Sequence, residues 1–229
     1  NNPFLTFETN IKGTYCLLEA IEQYSQTIES VVVASSDKAY GSYGRDKMPY
    51  KEDYPLIPIY PYDVSKACAD MIARCYTSNI YSLPIIITRF CNIFGPGQLN
   101  FSALIPDAVR SALGYSTFIP RGSGEQGRDF IYIDDVVDII LKGITIDHDL
   151  LYPVNIAQNQ AYAIRETAEM IQELCSYSGK FVFDASYQDG APFKQLDDTL
   201  FREAYPEFHF TSIREGIQET VGYYEEVLP

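Results

Sequence analysis

Basic residues are scarce in this sequence: 17 Lys and Arg stand against 31 Asp and Glu, a formal charge of −14. Nucleic-acid binding needs clustered cations to displace counterions from phosphate, so that class is excluded. Any anionic substrate must be met by a few local cations against an unfavourable overall field. Histidine is scarcer still, with His148 and His209 far apart, and no metal-ligand spacing occurs, so no metal centre is expected. The five cysteines (Cys16, Cys68, Cys75, Cys91, Cys175) are odd in number and form no CxxC pair. They are read as reduced thiols of a cytoplasmic protein. No apolar run approaches the roughly 18 residues of a membrane span. An initiator methionine and a signal peptide are also lacking, so the chain is expected to be a piece of a longer one.

What is present suits a globular core: 46% hydrophobic and 21% charged residues. Thr14, Leu17, Leu18 and Ile21 fall at helical spacing, which predicts a helix over 10–23. The β-branched run 30–36 predicts a buried strand ending in small polar residues. Residues 41–61 form a long Gly-, Pro- and Tyr-rich loop, then a helix over 62–79 and a second apolar strand over 84–94. Strand, helix and strand in this order indicate a parallel sheet with helical crossovers. Further on, helices are expected at 103–113, 134–144, 164–177, 198–204 and 212–227. Strands are expected near Phe118 and Ile131 and over 153–157 and 181–185. No internal repeat appears.

The run Gly122 to Gly127 spells GxGxxG. A dinucleotide fingerprint requires a helix directly after it, whose amides face the pyrophosphate. Here strand-like residues follow, so the run is rejected as a cofactor loop. Asp134 and Asp135 read as an N-cap, where carboxylates meet free amides.

Tyr62 and Lys66 lie one turn apart on one helix face. The ammonium is therefore expected to lower the phenol's pKa and make it a proton acceptor for a hydroxyl being oxidised. The same spacing also suits surface decoration, and Tyr43 and Lys47 repeat it within a loop. Ser36, Asp37 and Lys38 follow the first strand, where open α/β sheets bind ligands; alternatively, Asp37 closes a local turn.

Five ordered segments, ETNIKGTYCLLEA (8–20), VVVASSDKAYG (31–41), PYDVSK (61–66), TRFCNIFGPG (88–97) and GRDFIYIDD (127–135), resemble the extended short-chain dehydrogenases/reductases that act on nucleotide sugars. DGAPFKQLD (189–197) adds to the likeness. The resemblance implies an α/β fold: part of a Rossmann-type doubly wound parallel sheet with a smaller mixed α/β substrate-binding domain. The first would span residues 1–98 and the second mainly 99–229, with about 134–157 returning to the first. The glycine fingerprint and its acidic partner would lie upstream with two βαβ units, roughly 60 residues or more. NAD binding by this chain alone is therefore expected to be poor.

Ser36-Asp37-Lys38, with LNFSALIPD (99–107), is most similar to the 4,6-dehydratases of the CDP-glucose type. The resemblance implies NAD as cofactor, NADP not being excluded, held by Ser35, Tyr62, Lys66 and Ile93. It implies a nucleotide-diphosphosugar held by Ser36, Asn92, Leu104, Arg128, Asn155 and Lys194. Arg128 could instead pair with Asp129, and Lys194 could be a solvated surface lysine. Tyr62 would take the C4 hydroxyl proton while Ser36 bonds that oxygen and Asp37 protonates the departing 6-hydroxyl. Lys38 would act as C5 base or as electrostatic partner of the enolate. A 4-epimerase or decarboxylase of the same family is the alternative activity, and a non-catalytic binding protein is the alternative class. Pairing of two copies through helices 10–23 and 62–79 is expected. No nucleic-acid or membrane partner is expected.

Overall fold

The computed structural model describes residues 2–143 and 153–228; Asn1, Pro229 and the segment 144–152, with His148 and the end of the expected helix 134–144, lie outside the described residues. The chain divides into two compact units. The first comprises residues 1–91, 138–157 and 196–207; the second comprises 92–137, 158–195 and 208–229.

In the first unit the opening helix starts earlier than periodicity suggests. Asn2 caps α1 (Pro3–Phe7), accepting the Leu5 amide, and Pro3 suits the first turn. One π-helical turn (Glu8–Lys12) joins α1 to α2 (Gly13–Gln23). Strand β1 (Val31–Ser36) pairs in parallel with β2 (Ile85–Phe90), in register from Val31↔Ile85 to Ser36↔Phe90. On its other side β2 pairs in parallel with β5 (Val154–Ile156), giving the open order β1-β2-β5. Helix α3 (Pro61–Tyr76) crosses between β1 and β2. Leu18, Ile21, Ala73, Tyr76, Ile85 and Ile87 form the core between α2, α3 and the sheet. Helix α7 (Thr199–Ala204) packs beside β5.

The second unit is built around β3 (Asn92–Phe94) and β4 (Gly127–Tyr132), which pair in parallel. β4 also pairs antiparallel with β6 (Ala161–Ala163) and in parallel with β7 (Phe193–Lys194). Helices α4 (Leu104–Ala112), α6 (Ile164–Leu174) and α8 (Ile213–Val227) cover a core of Phe94, Ile105, Phe130, Ile171, Ile217 and Tyr224. At Gly216 a Cβ would lie 2.8 Å from the Phe94 ring, so only glycine lets α8 come this close. Helix α5 (Ile133–Gly143) follows β4 directly. Among the described residues no helix is long and apolar enough to cross a membrane.

Several sequence expectations change. The apolar run 84–94 is two strands broken at Cys91, because residues 85–90 pair with β1 and β5 while 92–94 pair with β4. No strand forms at Phe118, whose amide bonds the Ser111 hydroxyl at 3.0 Å instead of a ladder partner. Residues 181–185 make one isolated bridge, Arg121↔Asp184; the Phe181 ring packs on Phe118 and Tyr177 while Val182 faces solvent. Asp134 and Asp135 lie inside the first turn of α5 rather than at its cap. Asp135 accepts the Thr211 amide and hydroxyl at 2.9 and 2.8 Å.

Candidate functional site

In the first unit the chemistry-bearing residues meet at the C-terminal end of β1. Val31, Val32 and Val33 favour the extended chain, and the small polar residues after Ala34 end it. Ser35 is buried, its hydroxyl without a hydrogen-bond partner among the described residues. Residues Asp37–Tyr40 then form a single 3-10 turn. Ser36 caps that turn, its oxygen accepting the Lys38 amide at 3.2 Å, and it donates to the Asp37 carboxylate at 3.0 Å. The Lys38 ammonium lies 3.5 Å from the other Asp37 oxygen. The local-turn reading and the site reading are thus both realised: the turn's own bonds hold the three side chains together.

Helix α3 begins at Pro61, which fixes the first turn and leaves Tyr62 half-exposed at its mouth. Lys66 does not bond Tyr62. Its ammonium donates to the Ala34 carbonyl at 2.6 Å, tying the helix to the end of β1. The expected lowering of the Tyr62 phenol is therefore absent: burial pushes it above its ordinary value of 10.0, and the nearby Asp37 and Asp63 charges add to this. Burial lowers the Lys66 ammonium, with Asp70 opposing. The Asp37 charge thus reaches Tyr62 from the turn after β1. Between Tyr62 and Lys66, Ser65 is fully buried; it donates to the Tyr62 carbonyl at 2.7 Å and accepts the Asn10 amide at 2.9 Å. Asn10 sits in the π-helical turn.

A buried polar network supports this end of the sheet. Arg89 grips Asp70 in a two-pronged ion pair at 2.8 and 2.9 Å and donates to the Tyr40 hydroxyl at 2.8 Å and the Glu52 carbonyl at 3.1 Å. Asn155, expected to contact substrate, is instead consumed here. It accepts the Tyr40 hydroxyl at 2.7 Å, and its side-chain amide donates to the Tyr50 carbonyl at 2.8 Å. Its backbone amide donates to the Glu52 carboxylate at 3.0 Å. With no surface exposure, its side chain cannot reach a ligand. The rings of Tyr40 and Tyr50 stack at 4.9 Å, so the long loop after β1 is a packed structure. An arginine amid the apolar residues of β2 was the available signal for this network, and Asn10 within a helix was the signal for the Ser65 link.

The second unit contains a cavity of about 820 Å³ lined by Leu104, Phe118, Arg121, Gln126, Arg128 and Tyr187, among others. Arg128 donates to the Gly127 carbonyl at 2.7 Å, and Asp129 projects from the opposite face of β4. Lys194 is not a surface lysine: it is 5% exposed and registers with Arg128 across β4 and β7. It is not among the residues lining the cavity. Asn92 donates its side-chain amide to the Asp129 carbonyl at 2.8 Å, and Ile93 is partly buried beside it on β3. The Gly122–Gly127 run leads into β4, a strand, as its rejection as a cofactor loop requires. Among the described residues no group of His, Cys, Asp or Glu could hold a metal ion, and none of the five cysteines forms a disulfide.

The chain as a whole is similar to known proteins. The family model described as GDP-mannose 4,6 dehydratase matches residues 1–226. The low-salt glycan biosynthesis protein Agl12 of Haloferax volcanii is 32% identical over 228 residues, 97% of this chain and 69% of that protein. The mouse dTDP-D-glucose 4,6-dehydratase is 27% identical over 224 residues, 95% of this chain and 61% of its own length. The dTDP-glucose 4,6-dehydratase of Bacillus anthracis, solved in complex with NAD, superposes with a TM-score of 0.84 at 30% identity, covering 97% of this chain and 69% of that one.

Proposed function

We infer an activity from the premise that this chain belongs to the GDP-mannose 4,6-dehydratase family, an NAD-dependent family of nucleotide-sugar enzymes. We propose that it carries the catalytic residues of a nucleotide-diphosphosugar 4,6-dehydratase. One observation carries the reading: Asp37, a carboxyl group, sits beside Ser36 at the end of β1 and within electrostatic reach of Tyr62. Epimerisation at C4 needs the tyrosine and serine alone, whereas loss of water across C5–C6 needs an acid for the departing hydroxyl.

The residues fit the nicotinamide end of NAD. The buried Ser35 hydroxyl has no partner among the described residues, and Tyr62 and Lys66 are aligned on α3 at the same strand end. Ser35, Tyr62 and Lys66 would hold that end. Once bound, NAD supplies a hydride acceptor that carries positive charge. Tyr62 takes the proton of the C4 hydroxyl, and Ser36 hydrogen-bonds that oxygen as it becomes a carbonyl. The C4 carbonyl acidifies C5–H: the C5 proton passes to water, its electron pair forms the C5–C6 double bond as the C6–O bond breaks, and Asp37, in its protonated form, protonates the leaving oxygen. The hydride taken from C4 then returns to C6 and a solvent proton to C5, giving the 4-keto-6-deoxy sugar. Lys38, its ammonium beside Asp37, stabilises the enolate as a fixed charge rather than abstracting the C5 proton.

The first unit belongs in this reading to the cofactor-binding domain and the second to the substrate-binding domain. Leu104 and Arg128 serve the nucleoside diphosphate, Arg128 through forked contacts suited to phosphate, while the buried Lys194 registers with Arg128 from β7 rather than meeting the ligand. A cytoplasmic setting suits the free thiols. Exposed Phe4, Leu5 and Leu17 on the first helices and Met71 on α3 support pairing with a second copy.

The test is product analysis on the full-length protein, loaded with NAD, with UDP-, dTDP-, CDP- and GDP-linked hexoses. A 4-keto-6-deoxy product, recognised by its absorbance in alkali, is expected; Asp37→Asn should still oxidise C4 yet release no such product. A C4 epimer retaining its 6-hydroxyl would replace this reading with epimerisation. Nucleotide-sugar binding without turnover would replace it with a binding role.

A further inference from the structure

We propose that Asp189 is the positioning residue of the nucleotide end of the 820 Å³ cavity, buckling the loop 184–190 onto the turn 121–126. The inference rests on reading this cavity as the seat of the nucleoside diphosphate.

One carboxylate gathers three donors from the facing turn. Asp189 accepts the Ser123 amide at 2.8 Å, the Ser123 hydroxyl at 2.7 Å and the side-chain amide of Gln126. Two backbone bonds extend the seam, from the Gly122 amide to the Asp184 carbonyl at 2.9 Å and from the Asp184 amide to the Pro120 carbonyl at 2.8 Å. Gly122 is in the left-handed region at φ +88, and a Cβ there would meet the Asp189 oxygen and the Gln126 amide. The turn therefore admits the carboxylate only because residue 122 is glycine.

The buckle matters because of what flanks it. Arg121 on the turn and Tyr187 on the loop both line the cavity, with the guanidinium 4.9 Å from the ring centroid. Tyr187 is 48% exposed and Asp189 lies at the surface, so burial does not hold this loop in place. Its placement depends on the polar seam, and the Asp189 bonds are the charge-assisted ones within it. The Ser123 bonds also hold the Asp189 carboxyl below its ordinary range, so it remains the acceptor at neutral pH. A cation and an aromatic ring fixed in this way offer charge and a stacking face to one end of an anionic nucleotide.

Titration calorimetry with UDP, dTDP, CDP and GDP tests this on the full chain, alongside thermal melting. Wild type is expected to bind at least one of them, with Asp189→Ala weakening that affinity about tenfold or more while melting nearly unchanged. Asp189→Asn, which keeps an acceptor for the Ser123 amide without the charge, should fall between. In the NAD-loaded enzyme the loss should appear in KM, with kcat held within about twofold. Wild-type binding that survives in Asp189→Ala, or in Asp189→Asn should the alanine variant not fold, overturns the inference alone. No binding of any nucleoside diphosphate by wild type overturns the reading of the cavity, and this inference with it.

Discussion

Asn10 donates its side-chain amide to the Ser65 hydroxyl at 2.9 Å, and Ser65 passes a hydrogen bond on to the Tyr62 carbonyl at 2.7 Å. The π-helical turn bearing Asn10 is thus bonded to α3 between Tyr62 and Lys66. Such turns often mark places where a helix has been bent to a purpose. Asn10→Ala should cost about 1 kcal/mol of stability by removing one partly buried bond. A double-mutant cycle with Ser65→Ala, followed by urea denaturation, should return a coupling of at least 0.5 kcal/mol or so. Additive losses would mean the two side chains do not interact.

Lys38 is paired with Asp37, and the proposed mechanism gives it an electrostatic task. In Lys38→Met, exchange of the sugar's C5 proton with deuterated solvent should continue while turnover falls about 10²-fold. Mass spectrometry of recovered substrate reads this directly. Complete loss of exchange would assign Lys38 the base role instead.

The Arg89–Asp70 pair is fully buried, so neither partner can be removed alone without stranding a charge. Arg89→Met should cost about 3–5 kcal/mol, whereas Arg89→Met with Asp70→Leu should recover much of it. Chemical denaturation of the single and double variants measures both.

Burial raises the Glu52 carboxyl above its ordinary value of 4.5, the Asp197 charge adding to this while the Asn155 amide opposes it. The folded chain therefore holds this proton more tightly than the unfolded chain. The associated stability is fully present below the unfolded pKa and is lost as pH rises through the folded value. Glu52→Gln, which can still accept the Asn155 amide, should flatten that fall when unfolding free energies are compared across the window.

The legible parts of the fold were those set by neighbours in sequence. Tyr62 and Lys66 share a helix face because they are four residues apart, and Ser36 to Lys38 fall at a strand end because β-branched residues stop there. Asn155 was misread for the opposite reason. It lies within a short apolar strand, and its partners Tyr40 and Tyr50 lie 115 and 105 positions away. The Tyr62 phenol was misjudged because helical spacing says which groups are close, whereas its pKa depends on burial and on Asp37 from another element. Strands β6 and β7 escaped notice because segments of three and two residues carry no period to detect.

Because the Ser36 oxygen closes the 3-10 turn by accepting the Lys38 amide, its hydroxyl has two employments. An alanine at 36 would release the turn that presents Asp37 and Lys38 along with the hydroxyl that the proposed mechanism aims at the sugar, so its kinetics would confound the two. Threonine alone keeps an oxygen at the same branch point, which confines neutral exchange at this position to a single residue type.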